Sequence, residues 1–567
     1  MAKKITATLL LTVFLISTFS TAVLGFTFPE PDWGKLYYEK QDMINETDFE
    51  LYTEGPVDSA PYYGARLEPR GGTYIGTIPN TSQNLEPYSS FLTNINDMYE
   101  SDLYHPDNVW IYERNVVTMV GWTINSLDTV DYNQVRRTLD NLSRYNKPMY
   151  IRFANEMNVS PLGDDPYKYV EVFRTVANMV HEYPNFAVVW SPCDLGGLDR
   201  PFEYFYPGDE YVDWIGVSNY MVQYFSGDKN ANPKNAIYFM TGVYSWATNK
   251  LKPIMDFMAK NNIQKPVMIS EGGVSTHNSY GDECQAWATP RLRNMLWSVI
   301  MKYPQIKMIN YFNIPRNNEV EKFDISNFPY AVDIYNEAKN CGAYIPEYGV
   351  DPEFVFAPAN AGHTLVAKGG YVNLYTNLHI PEVPEADVHY YLDGVWYGMA
   401  KEIPYKCQLD LTGITDGAHN LRIVSATGSK EYTFYKSGRA IRFGAAPEHS
   451  GEGPIEIRVN GTCIDFDAAP VIVGDRTMVP MRAIFEALGA EVWWDAETRT
   501  ASAYGRDKSI EITIDETYLK KNGETVWLDV PAQIISDRTF VPARAVAEAL
   551  DCQVIWEEST RTVIIEG

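Results

Sequence analysis

Two glutamates in this 567-residue chain each end a short apolar run that is typical of a buried β-strand. Glu156 closes "MYIRFANE" and Glu271 closes "KPVMISE". Hydrolysis of a glycosidic bond needs such a pair, because one carboxyl group protonates the leaving oxygen while the other attacks the anomeric carbon or activates water. Either residue alone could instead occupy the first turn of a helix. As a pair at strand ends they favour catalysis.

The Asn-Glu dipeptide that contains the first glutamate is not informative by itself. It occurs at residues 45–46, 155–156, 318–319 and 336–337. Only the copy at 155–156 ends a short apolar run that follows a polar, helix-like stretch. The position at a strand end therefore carries the prediction, and the dipeptide does not.

Strand-like and helix-like runs alternate in a domain that we expect to span residues 26–345. The strand-like runs are "TYIGTI", "NVVTMVGW", "PMYIRFA", "AVVWSP", "VDWIGVSNY", "PVMISEGG" and "KMINYFN". Segments between them, such as "YNQVRRTLDNLSRYN", have the spacing of amphipathic helices. Such α/β alternation predicts a (β/α)8 TIM barrel, whose active-site side chains lie at the carboxyl ends of the strands. A doubly wound sheet is the alternative, although no glycine-rich phosphate-binding motif follows these runs.

Two polar residues near Glu156 suit the same site. Asn155 would hydrogen-bond a hydroxyl group of a bound sugar. For Arg152 two roles are open, since it would either hold the attacking carboxylate ionised or form a salt bridge inside the barrel core. No cofactor is expected, and no metal site is expected either, because the eight histidines and six cysteines are scattered without metal-binding spacing.

The first 25 residues predict a secretory signal. Lys3 and Lys4 precede the apolar run "ITATLLLTVFLISTF", and "AVLG" offers small residues for cleavage after Gly25. No later run approaches the ~20 apolar residues of a membrane-spanning helix. The formal net charge of −26 disfavours nucleic acid and anionic lipid as partners and suits a neutral polymer. We expect a secreted or cell-surface protein without a membrane anchor after signal cleavage.

Two further domains are expected after the barrel. Residues 350–440 alternate apolar and polar residues between turn signals, which predicts a β-sandwich, and "YLDG" with "LDLTGITDGAHNLRI" resembles bacterial immunoglobulin-like domains. In residues 455–567, a pattern that begins at Asp475 recurs at Asp537, 62 residues later (537 − 475). This "DRT-VP-R---EAL" repeat resembles the copper amine oxidase N-terminal-like domain. No histidine follows Cys463, so we expect a small α+β stalk that associates with the cell wall and binds no copper.

The barrel region resembles glycoside hydrolase family 26, the β-mannanase family of clan A. Its "FEYFYPGDEYVDWIGVSNY" is similar to the family pattern "YYPGDEYVDxVGxDxY", and "PVMISEGG" is similar to the nucleophile strand. The resemblance implies a retaining reaction, with Glu156 as acid/base on the fourth strand and Glu271 as nucleophile on the seventh. It also implies that Tyr220, at the end of the sixth strand, donates a hydrogen bond to the nucleophile. Three aromatic residues become candidates for stacking on sugar rings: Trp190, Trp287 and Tyr311.

One departure from the family pattern leaves the polymer open. The family reads "WRPxHEMN" at the acid strand, whereas this chain reads "IRFANEMN", with Asn155 in place of the histidine. The resemblance thus implies an endo-acting hydrolase of a plant-type β-linked polysaccharide, with β-1,4-mannan as the best guess and β-glucan or β-1,3-xylan as alternatives. A non-catalytic polysaccharide-binding surface protein and an adhesive stalk are the other classes that we consider.

Overall fold

The computed structural model describes most of the chain. The described residues are 28–29, 31–32, 35, 47–78, 90–96, 116–159, 161–193, 199–225, 246–316, 318–380, 386–444, 455–464, 470–474, 476–535, 538–557 and 562–567. The predicted signal, residues 1–25, lies outside them. Within these ranges, no helix combines the length and the apolar character needed to cross a membrane.

A closed barrel of parallel strands forms the first large unit. Strand β1 (Asp48–Gly55) precedes it in the chain and belongs to another sheet. The barrel strands pair in chain order and are β2 (Thr73–Ile78), β3 (Ser90–Asn96), β4 (Val117–Thr123), β5 (Met149–Phe153), β6 (Phe186–Trp190), β7 (Trp214–Met221), β8 (Val267–Val274) and β9 (Ile306–Phe312). Strand β9 pairs with β2, for example Tyr311 with Thr77, and this pairing closes the sheet. A short strand, β10 (Tyr344–Ile345), pairs in parallel with β2. The predicted TIM-barrel fold is confirmed.

Amphipathic helices cover the outside of the barrel. They are α1 (Tyr132–Ser143), α2 (Pro166–Val180), α3 (Ala247–Asn261), α4 (Gln285–Arg293), α5 (Val299–Lys302) and α6 (Pro329–Lys339), and a π-helical turn over Asn294–Ser298 joins α4 to α5. Aspartates begin the first two helices, because the side chain of Asp131 accepts a hydrogen bond from the N–H of Asn133 and that of Asp165 accepts one from Lys168. Asn262, in the left-handed conformation, ends α3.

One barrel strand was missed by the sequence patterns. The runs named above supply seven strands, whereas the sheet also contains β3, with the sequence "SFLTNIN". Two asparagines and a serine make this stretch more polar than the other strand-like runs, so its hydropathy does not distinguish it from a loop. Pairing with β4 along the whole of β3 fixes it in the barrel.

Two antiparallel sheets follow the barrel and form the predicted β-sandwich. Their strands are β11 (Val355–Pro358), β12 (Thr364–Val366), β13 (Tyr371–His379), β14 (Val388–Leu392), β15 (Val395–Ala400), β16 (Lys406–Asp410), β17 (Gly417–Ser425), β18 (Gly428–Ser437) and β19 (Ala440–Phe443). The sheet orders are β11-β1-β13-β16 and β12-β19-β18-β17-β14-β15. A buried hydrogen bond of 2.8 Å between the hydroxyl groups of Tyr390 and Thr376 joins the two sheets.

The N-terminal strand β1 lies between two strands of this sandwich. It pairs antiparallel with β13, where Tyr52 faces Tyr375, and with β11, where Thr53 faces Ala357. From the sequence we expected β1 to belong to the barrel domain. Its partner strands lie about 300 residues later along the chain, so no local pattern indicates the pairing. Strand β1 precedes the barrel and β11 follows it, so their pairing within the sandwich joins the two ends of the barrel segment.

The C-terminal domain contains the two repeats. Its elements are β20 (Glu456–Val459), β21 (Thr462–Cys463), β22 (Val471–Val473), β23 (Arg476–Pro480), α7 (Met481–Ala487), β24 (Glu491–Asp495), β25 (Thr500–Gly505), β26 (Lys508–Thr513), β27 (Tyr518–Lys521), β28 (Glu524–Trp527), β29 (Gln533–Ile535), β30 (Arg538–Pro542), α8 (Ala543–Ala549), β31 (Gln553–Glu557) and β32 (Thr562–Glu566). Strand β23 of the first repeat pairs antiparallel with β30 of the second, and Val479 faces Val541. These two valines occupy the same repeat position (541 − 479 = 62), so the repeats meet about a local twofold axis.

Several cysteines are free thiols inside the packed regions. Cys284, Cys341, Cys407 and Cys552 form no disulfide. Burial raises the pKa of Cys284 and of Cys407 to about 12 and that of Cys341 to about 11. Since the thiolate is the reactive form, these thiols are structural at neutral pH.

Candidate active site

A buried ion pair stands at the carboxyl end of the barrel. The guanidinium of Arg152, fully buried on β5, donates to Glu271 Oε2 on β8 at 2.6 Å. The same guanidinium donates to Ser191 Oγ at 2.8 Å and to Ser218 Oγ at 2.7 Å. One arginine therefore links four neighbouring strand ends and balances the negative charge of Glu271. Of the two roles predicted for Arg152, the salt bridge inside the barrel is present, and its partner is the carboxylate of Glu271.

An irregularity in β8 directs Glu271 to this position. Along β7, Val217 pairs with Ile269 but the next residue, Ser218, pairs with Glu271, so β8 contains one extra residue. The extra residue is Ser270, whose hydroxyl group lies 2.9 Å from Ser191 Oγ. Because of this bulge, two consecutive residues of β8 reach groups of the barrel interior.

Tyr220, on β7, contacts the second oxygen of the same carboxylate. Its hydroxyl group donates to Glu271 Oε1 at 2.8 Å. Burial first, then the negative charges of Glu271 and Glu156, raise the pKa of Tyr220 well above its usual value of 10. The phenol therefore stays protonated and remains a donor across the ordinary pH range. Both oxygens of Glu271 are thus held by donors at fixed positions.

Glu156 follows β5, the fourth strand of the barrel, and its backbone is strained. Its φ is 55° and that of Ala154 is 48°, a region that non-glycine residues seldom occupy. Two backbone hydrogen bonds hold the turn, from Ala154 N–H to Trp122 O and from Glu156 N–H to Ser191 O, both 2.8 Å long. Strain of this kind costs ~1 kcal/mol or more per residue and is concentrated at functional sites. The carboxylate is half-buried, and its negative charge is among the causes that raise the pKa of Tyr220.

Asn155 presents a polar atom that the described residues leave unsatisfied. Its side-chain Oδ1 is buried and has no hydrogen-bond partner within the described part of the chain. A buried acceptor without a partner costs ~1–3 kcal/mol. A hydroxyl group of a ligand beside Glu156 would remove that cost.

Two of the aromatic candidates are corrected by the structure. Trp190 is fully buried, donates from Nε1 to Phe205 O at 3.0 Å and packs against Tyr206 and Phe257, outside the barrel wall. Tyr311 is also fully buried, and its hydroxyl group bonds to the backbone of Val274. Neither ring offers a face to a ligand, so both assignments as substrate-binding residues are wrong.

Trp287 differs from these two because it is only half-buried. The guanidinium of Arg291 lies 4.2 Å from its ring centroid and 4.4 Å from that of Trp246. Burial lowers the pKa of Arg291 to about 9. One face of Trp287 is occupied by this cation–π contact, and its role in binding a sugar stays a prediction.

The corrected role of Trp190 predicts a stability effect. Replacing Trp190 with alanine is expected to lower the free energy of unfolding by ~3–5 kcal/mol, because a large buried aromatic side chain is removed. Urea denaturation measures this change, and Trp190→Phe, which keeps part of the packing, should lose less. Unchanged stability with weaker ligand binding would contradict the correction.

Three serines of the site were not identified from the sequence. Ser191, Ser218 and Ser270 are fully buried: the hydroxyl groups of Ser191 and Ser218 accept from Arg152, and that of Ser270 lies within hydrogen-bond distance of Ser191. Each is a polar residue near the end of an apolar strand-like run, in "VVWS", "IGVS" and "VMIS". That shared position is the signal that would have found them.

No metal site accompanies the glutamates in the described regions. No group of three or more histidine, cysteine, aspartate or glutamate side chains there could hold a metal ion.

Solved structures similar to this chain include glycoside hydrolases of family 26. A modular endo-β-1,4-mannanase from Cellulomonas fimi is 13% identical, with 67% of this chain and 99% of that chain covered and a TM-score of 0.34. A family 26 β-mannanase from Bacteroides ovatus is 13% identical, with 48% and 89% covered and a TM-score of 0.33. The catalytic domain of a family 26 endo-β-1,4-mannanase from Bacillus sp. JAMB-750 is 16% identical, with 50% and 93% covered and a TM-score of 0.34. Similarity this low carries no argument about activity.

The C-terminal repeats match a described family. Residues 458–565 match the model of the copper amine oxidase N-terminal domain. No curated protein matches the chain. The two similarities predicted from the sequence, to family 26 hydrolases and to this domain, are both found.

Proposed function

We propose that the barrel is a retaining endo-β-glycanase that acts on a β-linked polysaccharide. The observation that carries the proposal is the placement of two glutamates at the carboxyl ends of the fourth and seventh strands of one closed barrel. Glu271 is held by Arg152 and Tyr220, while Glu156 lies in the strained turn that follows β5. The two carboxyl groups have different surroundings, as an acid and a nucleophile require.

The roles follow from these surroundings. An oxygen of Glu271 attacks the anomeric carbon while the glycosidic C–O bond breaks, and Glu156 gives its proton to the leaving oxygen. In the second step Glu156 removes a proton from water, water attacks the same carbon, and the bond to Glu271 breaks. Asn155 would donate to or accept from a hydroxyl group of the sugar bound between them, and Arg152 and Tyr220 keep the nucleophile in place.

The proposed polymer is inferred from the sequence. We propose β-1,4-mannan, which follows from the sequence resemblance, with β-glucan and β-1,3-xylan as alternatives because Asn155 replaces the histidine of the family pattern. The acidic net charge of −26 supports a neutral polymer and not nucleic acid. We also propose secretion or display at the cell surface, with wall association through the C-terminal domain, since the first 25 residues have the pattern of a signal.

Incubation with a panel of polysaccharides tests the proposal. Purified protein is expected to release reducing ends from one of mannan, glucomannan, mixed-linkage β-glucan or β-1,3-xylan, and proton NMR should show β-anomers as the first products. If no polymer is hydrolysed although one is bound, the protein is the non-catalytic polysaccharide-binding alternative. First products with α-anomers would overturn the retaining mechanism.

Tyr220 supplies a prediction about the positioning of the nucleophile. Replacing Tyr220 with phenylalanine is expected to lower kcat about tenfold or more, because a hydrogen bond to a charged group contributes ~1.5–3 kcal/mol and Glu271 Oε1 loses its donor. Steady-state kinetics on the hydrolysed polymer measure the effect. The matched control is Tyr206→Phe, which removes a tyrosine donor to the aspartate Asp209 at the protein surface. Equal kcat values for Tyr220→Phe and the wild type would contradict the assignment.

A further inference from the structure

A groove in the C-terminal domain exposes two neighbouring tryptophans. It has a volume of about 750 Å³ and lies between helix α7, the edge strand β24 and the strands β29 and β30 of the other repeat. Trp493 is 51% exposed and Trp494 is 41% exposed. Trp494 pairs with Ala501 on β25, and that small side chain also lines the groove. Exposed indole rings beside an open groove are unusual on a soluble protein and mark a binding surface.

The internal repeat provides a comparison within the same chain. At the positions 62 residues later, Ile555 replaces Trp493, and Val563 replaces Ala501. Trp556 corresponds to Trp494, yet it is half-buried and packs against the domain core. The neighbouring Glu557 accepts a hydrogen bond from Thr364 of the sandwich at 2.5 Å. The sandwich thus contacts β31 of the second repeat, whereas the equivalent strand of the first repeat keeps its rings exposed.

The polar residues of the groove indicate the chemistry of its ligand. Arg482 and Arg538 line it together with Glu486, and Arg482 and Glu486 form an exposed ion pair of 3.9 Å. Side chains of both signs favour a neutral ligand that carries many hydroxyl groups over a polyanion, which the net charge of −26 also opposes. Repulsion between two such acidic chains disfavours a second copy as the occupant. Flat indole faces suit the C–H faces of pyranose rings.

We propose that this groove binds a polysaccharide chain, with pyranose rings stacked on Trp493 and Trp494 and hydroxyl groups hydrogen-bonded to Arg482, Arg538 and Glu486. The site is separate from the glutamates of the barrel, and the proposal does not require the barrel to be catalytic. Binding here would hold the barrel near its polymer and raise the local concentration of cleavable chain. The polymer is a neutral β-linked polysaccharide, because the groove carries side chains of both signs. Loss of binding to peptidoglycan alone in the test below overturns this choice.

Binding of the full chain to insoluble polysaccharides tests the proposal. Depletion isotherms are measured on insoluble mannan, cellulose and purified peptidoglycan, all with Glu271→Gln in the background so that hydrolysis does not remove the polymer. The double variant Trp493→Ala/Trp494→Ala is expected to lose about tenfold or more in affinity for mannan or cellulose, equivalent to about 1.4 kcal/mol, because both stacking surfaces are removed. Trp527→Ala is the control, because Trp527 is 75% exposed on β28 and does not line the groove.

The outcomes separate this proposal from the catalytic one. Loss of binding in the double variant with an unchanged urea midpoint supports the groove, even if the barrel hydrolyses no polymer. Equal affinities for the double variant and its background on all three polysaccharides overturn it, even if hydrolysis is observed. Sedimentation velocity provides a further check. If the wild type and Trp527→Ala self-associate and the double variant does not, the proposal is overturned, because a second copy would then be the occupant of the groove.

Discussion

Replacing Glu271 with alanine or glutamine is expected to lower kcat on the hydrolysed polysaccharide by ~10³-fold or more, equivalent to about 4 kcal/mol of transition-state stabilisation. Neither side chain can form the covalent glycosyl-enzyme bond that splits the reaction into two steps. The alanine variant also leaves the buried charge of Arg152 without its carboxylate, and such a loss costs ~3–5 kcal/mol of stability. Glutamine keeps a carbonyl acceptor for Arg152 and places an NH2 group beside the Tyr220 hydroxyl oxygen, which can accept from it, so its effect on kcat separates chemistry from folding.

A surface pair provides the matched control for this variant. Glu182 accepts two hydrogen bonds from Arg136, at 2.6 and 2.7 Å, so the pair has the same residue types and similar distances but is exposed. Glu182→Gln is expected to leave both kcat and the urea midpoint unchanged. A mild effect of Glu271→Gln, within tenfold of wild type, would remove Glu271 from the role of nucleophile.

The positions of the two glutamates could be predicted from the sequence. Glu156 follows the fourth barrel strand and Glu271 lies on the seventh, as the resemblance implies. Strong apolar runs with polar ends mark most of these strands, and parallel strands place their carboxyl ends at one rim. Seven of the eight barrel strands were recognised in this way, and the polar composition of β3 explains the remaining one.

The orientation of side chains within each strand could not be predicted. A barrel strand is buried on both faces, so it shows no alternation that separates inside from outside. Val189 packs in the barrel interior while its neighbour Trp190 packs with the outer helices. On β9, Met308 likewise packs in the barrel interior, whereas Tyr311 packs with the outer residues. Both errors among the aromatic candidates come from this ambiguity.

The link between Arg152 and Glu271 could not be predicted either, because it depends on a bulge. A regular strand would place Ser270 and Glu271 on opposite faces. The extra residue in β8 brings both to the interior, where one contacts Ser191 and the other contacts Arg152. The residue types of this network can be read from the sequence, but its geometry depends on the register between β7 and β8.

The second large effect is expected at Glu156. Replacing Glu156 with alanine should lower kcat on the polysaccharide by ~10²–10⁴-fold, the contribution of a general acid. An aryl glycoside with a strongly acidic phenol needs no protonation of its leaving group, so its first step should stay fast. Removal of the general base slows hydrolysis of the intermediate, and both kcat and KM for this substrate should fall. Stopped-flow measurement of the phenol should therefore show a burst, followed by a slow steady state.

Added azide distinguishes this role from a structural one. Azide needs no general base, so it should attack the intermediate of Glu156→Ala, restore turnover of the aryl glycoside and give a β-glycosyl azide with retained configuration. Glu319→Ala is the matched control, because Glu319 follows an asparagine as Glu156 does but pairs with Arg316 at the surface. Glu319→Ala should hydrolyse both substrates at the wild-type rate, and azide should not accelerate it. The contrary result is that azide does not accelerate Glu156→Ala and that kcat falls equally for the polysaccharide and the aryl glycoside. The strained turn after β5 would then have a structural role, and another residue would be the proton donor.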